Sequence, residues 1–416
     1  MPTLRITLIV LVLALLCACT PASYTASPVQ SGSSSSASSQ AAKLPPEETA
    51  VPVYIPSAFL TPKETVQAYL EQQYQAYASL ARIDLSTIVD TSQPRNRNAL
   101  VWLQTLILRR TLIKREGYCY VETGIYPYTV TFEDAAEDGR MAFWSGRGIT
   151  DSDPQGGEVT LHFRITGEAG RAYPPMLALG AQHTIRLKQI DGVWKITFHY
   201  FPGSVRRFSQ SGTFAAPDED EMLADLAEEF AAFPQPAAKP DVPGGAVAYS
   251  GLRASAYAQN YTETPNPSFY DIGDWMGNCQ NFISQCIWYG FSGGGPPSTE
   301  GYENMTDDWF AGGGGGSPAW ENVGHFWDYA AEQRAPAGAG IHGAVLGGVT
   351  LLDTGDLIQV RTGRFHQSDD SFNHSLLVVD GDTLLLAQNS PDCFVYYSDL
   401  VNVDTRFFSP SYLVEG

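Results

Sequence analysis

Gly277-Asn278-Cys279-Gln280-Asn281-Phe282-Ile283-Ser284-Gln285-Cys286-Ile287-Trp288-Tyr289-Gly290 is the stretch on which the fold of the C-terminal part turns. Asn278 can accept backbone N–H bonds and so cap a helix. Phe282, Ile283, Cys286 and Ile287 recur at helical spacing, and Gly290 supplies a stop. Cys279 then falls in the first turn, where unsatisfied N–H groups and the positive end of the helix dipole favour an anion. A thiol so placed ionises more readily and becomes a better nucleophile. Taken alone, the segment reads as an ordinary core helix, because free Cys is among the most buried residue types. A histidine far downstream changes the balance.

His374 opens the strand His-Ser-Leu-Leu-Val-Val, directly after the polar loop Gln367 to Asn373. Gly381-Asp382 suits a two-residue hairpin turn. Pairing Asp380 with Thr383 brings His374 opposite Asn389, whereas a three-residue loop brings Gln388 there instead. Opposed residues share a face with Cβ atoms about 5 Å apart. Either register sets an amide beside the histidine. A Cys at a helix start, a His on a strand and an amide to orient that His resemble the Cys-His-Asn arrangement of papain-like enzymes. His366 is the competing base, but it falls in the loop.

Around this core, Ala248 to Tyr261 is expected to be a helix ended by Thr264-Pro265-Asn266-Pro267, and Trp320 to Glu332 another. Gly-rich loops at 290–296 and 311–317 are suited to the border of a cleft. Strands are expected at 356–361, 374–380, 383–389, 393–397 and 405–409. From about Tyr249 onward the chain resembles the bacterial type 6 amidase domain family, a papain-like relative of the NlpC-type cell-wall peptidases. The matching pieces are Tyr249, Arg253, Ala256-Tyr257-Ala258, Pro265-Asn266-Pro267 and, most specific, Cys279-x-Asn281-Phe282-Ile283-Ser284-Gln285. Ser317-Pro318-Ala319-Trp320, Gly355-Asp356-Leu357-Ile358 and Asn373-His374-Ser375 follow. The resemblance implies Cys279 as nucleophile and His374 as base. Its third position, often His in the family, is Asn389 here. The family usually has Asp before the Cys and Thr after it, where this chain has Asn278 and Gln280.

Upstream, Thr61-Pro62-Lys63-Glu64 has Thr at N-cap, Pro at N1 and Glu at N3, a capping box. Val66, Tyr69, Leu70, Tyr77 and Leu80 continue a helical stripe to about Arg82, and a second helix is expected from about Asn98 to Lys114. The period then changes to that of strands at 118–122, 126–133, 140–145 and 158–166. Asp191-Gly192 between the alternating arms of 184–200 marks a hairpin. Helices followed by an antiparallel sheet give an α+β region at 59–205, similar in element order to the cone-shaped nuclear-transport-factor folds. His162, His183 and His199 read as structural or surface residues. An acidic helix at 217–233, led by Asp218, Glu219, Asp220 and Glu221, and a Pro/Gly-rich linker complete 206–245. The papain-like α+β domain is expected over 246–416.

The N-terminus carries Arg5, an apolar run from Ile6 to Leu16, and then Leu16-Cys17-Ala18-Cys19. The run has the length of a secretory signal and is too short to span a membrane. Its end resembles a bacterial lipoprotein signal, which implies residues 1–18 as signal peptide and lipid on Cys19. An ordinary secretory signal cut nearby is the alternative. Residues 19–58 are Ser- and Pro-rich and read as a disordered tether. A formal net charge of −20 excludes the basic footprint that nucleic-acid binding needs. The sparse cysteines are no disulfide framework. A Cys286–Cys393 bond is conceivable, two unpaired core thiols more natural. No Cys/His spacing suits zinc, and neither metal nor cofactor is expected.

The sequence thus points to a membrane-tethered, extracytoplasmic thiol amidase or peptidase acting on amide bonds, with a peptide or peptidoglycan stem as substrate. Cys279, His374 and Asn389 would carry the chemistry, with Gln388, Asn278 and Asn281 in support. A non-catalytic surface-binding module keeping the fold, or an acyltransferase passing the thioester to an amine, are the rival readings. The first α+β region would position the enzyme or bind wall material.

Overall fold

The computed structural model describes residues 51–56, 60–133, 157–201, 214–231, 239–272, 277–291, 303–312, 315–361, 371–389, 391–401 and 403–416. They fall within one compact unit, Ala50–Gly416. Cys19 with the signal and most of the tether, the strand expected at 140–145, and His366 lie outside the described residues.

The chain begins with α1 (Pro62–Ser79) and α2 (Pro94–Glu116). The capping box forms as expected: Thr61 Oγ1 accepts from Glu64 N–H and the Glu64 carboxylate accepts from Thr61 N–H at 2.7 Å. The second helix starts earlier than its apolar stripe suggested, with Pro94 in its first turn, where a missing N–H costs nothing. Four antiparallel strands follow in sequential order: β1 (Tyr128–Glu133), β2 (Glu158–Gly167), β3 (Gln182–Ile190) and β4 (Val193–Tyr200). Asp191 and Gly192 both take positive φ, 52° and 79°, as a two-residue hairpin turn requires. The strand expected at 118–122 does not form. Instead the Glu122 carboxylate accepts from Gly124 N–H and from the Tyr120 and Tyr126 hydroxyls. Those bonds satisfy the turn locally, without a partner strand.

After α3 (Glu219–Glu229) come β5 (Val247–Ala248), α4 (Gly251–Tyr261), α5 (Cys279–Phe291), the ribbon β6 (Ala311–Gly312) with β7 (Gly315–Gly316), α6 (Pro318–Glu321) and α7 (Val323–Ala330). Then follow β8 (Gly340–Leu346), β9 (Leu357–Arg361), β10 (His374–Asp380), β11 (Leu385–Gln388), β12 (Cys393–Tyr396) and β13 (Asp404–Val414). They make a seven-stranded antiparallel sheet in the order β12-β11-β10-β9-β13-β5, with β8 also on β13. The molecule is α+β throughout. The helix expected from Trp320 to Glu332 is broken at Asn322, which caps α7 by accepting from Gly324 and His325 N–H. Gly290 lies inside α5 and does not end it. A Cβ there would sit 2.2 Å from the Tyr249 ring, so the glycine serves close packing. Strand β8 was not expected, since Gly340, His342 and Gly343 dilute its β signal.

One face of the large sheet is covered by α4, α5, α6 and α7. The other face packs on Leu108, Leu112 and Ile113 of α2 and on Leu226 and Phe230 at α3. Trp102, Leu103, Leu106 and Ile107 of the same α2 face the four-stranded sheet. A helix serving two cores is apolar nearly all round. Strands β9 and β10 are buried on both faces, their apolar residues interrupted by the buried polar Gln359 and Ser375.

His162, His183 and His199 are all buried, none of them on the surface. His183 lies between the Ala178 carbonyl, 3.2 Å from Nε2, and His199 Nε2, 3.0 Å from Nδ1. The carbonyl can only accept, so His183 carries its proton on Nε2 and His199 donates to Nδ1. Burial pushes His183 down to about 4, and burial with the neighbouring His183 pushes His199 well below 6.5. The unfolded chain binds these protons near 6.5, whereas folded His183 refuses its proton until about 4 and folded His199 until well below 6.5. Stability should therefore fall as pH drops through that window, by about 3 kcal/mol from His183 alone. Denaturant midpoints followed across this range would check it, and a His183→Leu protein should show a shallower acid slope. An equal slope in both would refute the assignment.

Candidate active site

Each polar residue of the Cys-x-Asn-Phe-x-Ser-Gln element has a fixed partner. Gln280, fully buried, accepts from Ser375 Oγ at 2.7 Å and from Gln359 Nε2 at 3.3 Å, which pins the start of α5 to β10 and β9. Asn281 donates to Tyr270 O and Asn278 Oδ1, both at 2.7 Å, and accepts from Trp320 Nε1 at 2.7 Å. Ser284 donates to Trp320 O at 2.8 Å, and Gln285 accepts from the Tyr257 hydroxyl at 2.7 Å. These bonds fix both the height and the rotation of the helix that carries Cys279.

Cys279 is the first residue of α5 and is buried, 6% exposed. His374 is the first residue of β10. The two side chains lie close enough to shift each other's protonation. Burial alone would push the thiol up. The His374 charge and hydrogen bond, with the backbone N–H groups of Ser375 and Gln280, outweigh it and hold Cys279 below 9.0. Burial opposes the imidazolium too, but Cys279 and Gln388 raise His374 above 6.5. The two shifts agree in direction, each group favouring the charged form of the other.

The orienting amide is Gln388, the alternative to Asn389. Gln388 Oε1 lies 2.8 Å from His374 Nε2. An amide oxygen only accepts, so Nε2 carries a proton and Nδ1 is left for the sulfur. Gln388 Nε2 in turn meets Cys393 Sγ at 3.2 Å. Asn389 does not reach His374; its Oδ1 accepts from Asn278 Nδ2 at 2.8 Å. The reason is register. The hairpin closes with Asp380 opposite Leu385, a longer loop than either expected, and a bulge at Val379 then shifts the pairing to Val378 opposite Leu386. An extra residue in one strand exchanges the faces beyond it. Carried on to His374, the shifted register puts Gln388 on its face and Asn389 on the other. Asn278, expected as a cap, acts as a crosslink: besides Asn389 it binds Ile272 N–H and Asn281 through Oδ1.

The other thiols are driven the opposite way. Burial raises Cys119 and Cys393 to about 12 and Cys286 well above 9.0. All four are free, so no Cys286–Cys393 bond forms. At neutral pH, a limiting amount of a small alkylating agent should therefore label Cys279 first, which peptide mass spectrometry would read. Faster labelling of Cys119 or Cys393 would contradict the ordering. Among the described residues no group of three metal-ligating side chains gathers, and no helix is long and apolar enough to cross a membrane.

Residues 248–407 match the family described as "Putative amidase domain". No curated protein and no solved structure matches the chain.

Proposed function

We propose that the protein is a thiol-dependent amidase or peptidase, tethered outside the cytoplasm by lipid on Cys19, that hydrolyses amide bonds in cell-wall peptides. The observation that carries this reading is the pairing of Cys279 with His374, which pulls each toward its charged form and is backed by Gln388. The thiolate attacks the amide carbonyl and forms a C–S bond. The carbonyl oxygen takes the negative charge, and the backbone N–H of Cys279 at the helix start would donate to it. One such donor is worth about 3 kcal/mol. Collapse expels the amine, which takes the proton from His374. The neutral imidazole then deprotonates a water that hydrolyses the thioester, restoring acid and thiolate. Throughout, Gln388 keeps Nε2 protonated and so keeps Nδ1 on the reacting side.

The test is incubation of the full protein with defined peptides and wall fragments, with products identified by mass, before and after alkylation of Cys279. Hydrolysis that stops on alkylation is expected. Undiminished hydrolysis by the alkylated protein overturns the mechanism. Products joined to an added amine, in place of free acids, would make it a transferase.

A further inference from the structure

We infer that Arg406 forms a carboxylate-binding subsite beside the proposed active site, so that the substrate is an amide carrying a free carboxylate close to the bond that is cut. The inference rests on the hydrolase reading above and narrows its substrate. Pairing in the sheet sets Ser375 opposite Gln359 and Gln359 opposite Arg406. Three side chains in one cross-strand row share a face, and two strand spacings place Arg406 about 10 Å from Ser375. Ser375 follows His374 directly and donates through Oγ to Gln280, the neighbour of Cys279.

Two paths join Arg406 to the reacting pair. Its Nε and Nη2 donate to Gln359 Oε1 at 2.9 and 2.6 Å, and Gln359 binds Gln280, the neighbour of Cys279. Its guanidinium also lies 4.1 Å from the ring centroids of both Trp327 and Phe372. Phe372 stands two residues before His374. The aromatic rings hold the guanidinium plane, and Gln359 spends two of its five N–H donors.

Among the described residues no carboxylate bonds to it. Asp404, two residues away, is held by Arg361 at 2.7 Å. Exposed Asp328 is felt only through space, and burial lowers Arg406 to about 10. A half-buried cation with a neutral amide as its bonded partner keeps its charge available to an anion. In a chain of net charge −20, it is a local attractor for an acidic substrate.

The experiment compares two peptides that differ in one group, a free carboxylate or the matching carboxamide, about three residues from the scissile bond. Hydrolysis by the full protein should favour the carboxylate peptide by about tenfold or more in kcat/KM, chiefly through KM. In Arg406→Gln the ratio should fall towards one, and Arg406→Lys should keep part of it. Moving the carboxylate from side chain to chain terminus tells which source is read. Equal turnover of the two peptides by the unsubstituted protein overturns the inference. So does an equal loss on both in Arg406→Gln, which would make Arg406 a strut for Gln359. If neither peptide is cut, the hydrolase reading fails separately. Binding of the labelled peptides to Cys279→Ala then decides, with the same carboxylate preference and its loss in Cys279→Ala/Arg406→Gln as the required outcome.

Discussion

Replacing Cys279 by alanine should lower kcat by on the order of 10⁶ and leave the folded protein able to bind substrate. The sulfur supplies the only bond formed to the substrate, so no neighbour can take over its part. His374→Ala should cost nearly as much, since the two act as a unit and the losses do not add. Gln388→Ala should cost about 10- to 100-fold, the worth of one hydrogen bond to a charged ring. Asn389→Ala should be felt in stability, because its bond goes to Asn278 and not to the imidazole. The pH profile separates these cases. The active pair needs thiolate and imidazolium together, so activity falls in acid as Cys279 protonates and in alkali as His374 loses its proton. Gln388 raises His374 by accepting from Nε2–H. Its removal should move the alkaline limb to lower pH and leave the acid limb nearly in place. In Cys279→Ala the imidazole keeps its burial and loses its anionic partner, so an NMR titration should find it below 6.5. A shift of the alkaline limb in Asn389→Ala, with none in Gln388→Ala, would refute the register argument.

Much of this site was legible in the chain because local rules govern it. The apolar spacing of Phe282, Ile283, Cys286 and Ile287 announces a helix, and that helix forms from Cys279 to Phe291. The hairpin at Asp191-Gly192 and the capping box at Thr61 are equally local, and both form. The choice between Asn389 and Gln388 was not legible. It depends on one bulged residue, Val379, whose apolar side chain looks like its neighbours in the sequence. The break at Asn322 carried a signal, an N-capping residue inside an apolar run, that periodicity alone outweighs. Least visible was the double role of α2. Its second apolar face only makes sense once the large sheet lies against it, a contact between residues hundreds of positions apart.

That shared helix carries the second large effect. Arg110 on α2 is fully buried and bonds Asp399 and the Glu122 carbonyl, with its guanidinium 3.5 Å from the Tyr77 ring centroid. Tyr77 donates to the same carboxylate at 2.8 Å. Arg110→Met should destabilise the protein by about 3–5 kcal/mol, because it strands a buried carboxylate without its cation. Against a usual total of about 5–15 kcal/mol, that is a severe loss. The pair itself is a different quantity. Each charge was stripped of water to enter this core, so Arg110→Met/Asp399→Leu should recover most of what either single change loses. Denaturant midpoints of the four proteins give the coupling directly, and losses that simply add would sink the claim. Activity should follow the same pattern. Asp399 lies just past β12, and Cys393 at the head of β12 pairs with Gln388. A carboxylate that pulls away from α2 loosens the strand behind the residue that holds His374. Arg110 therefore acts on catalysis through position alone. In Arg110→Met the surviving folded fraction should show a weakened alkaline limb with its KM little changed, whereas the double variant should regain that limb.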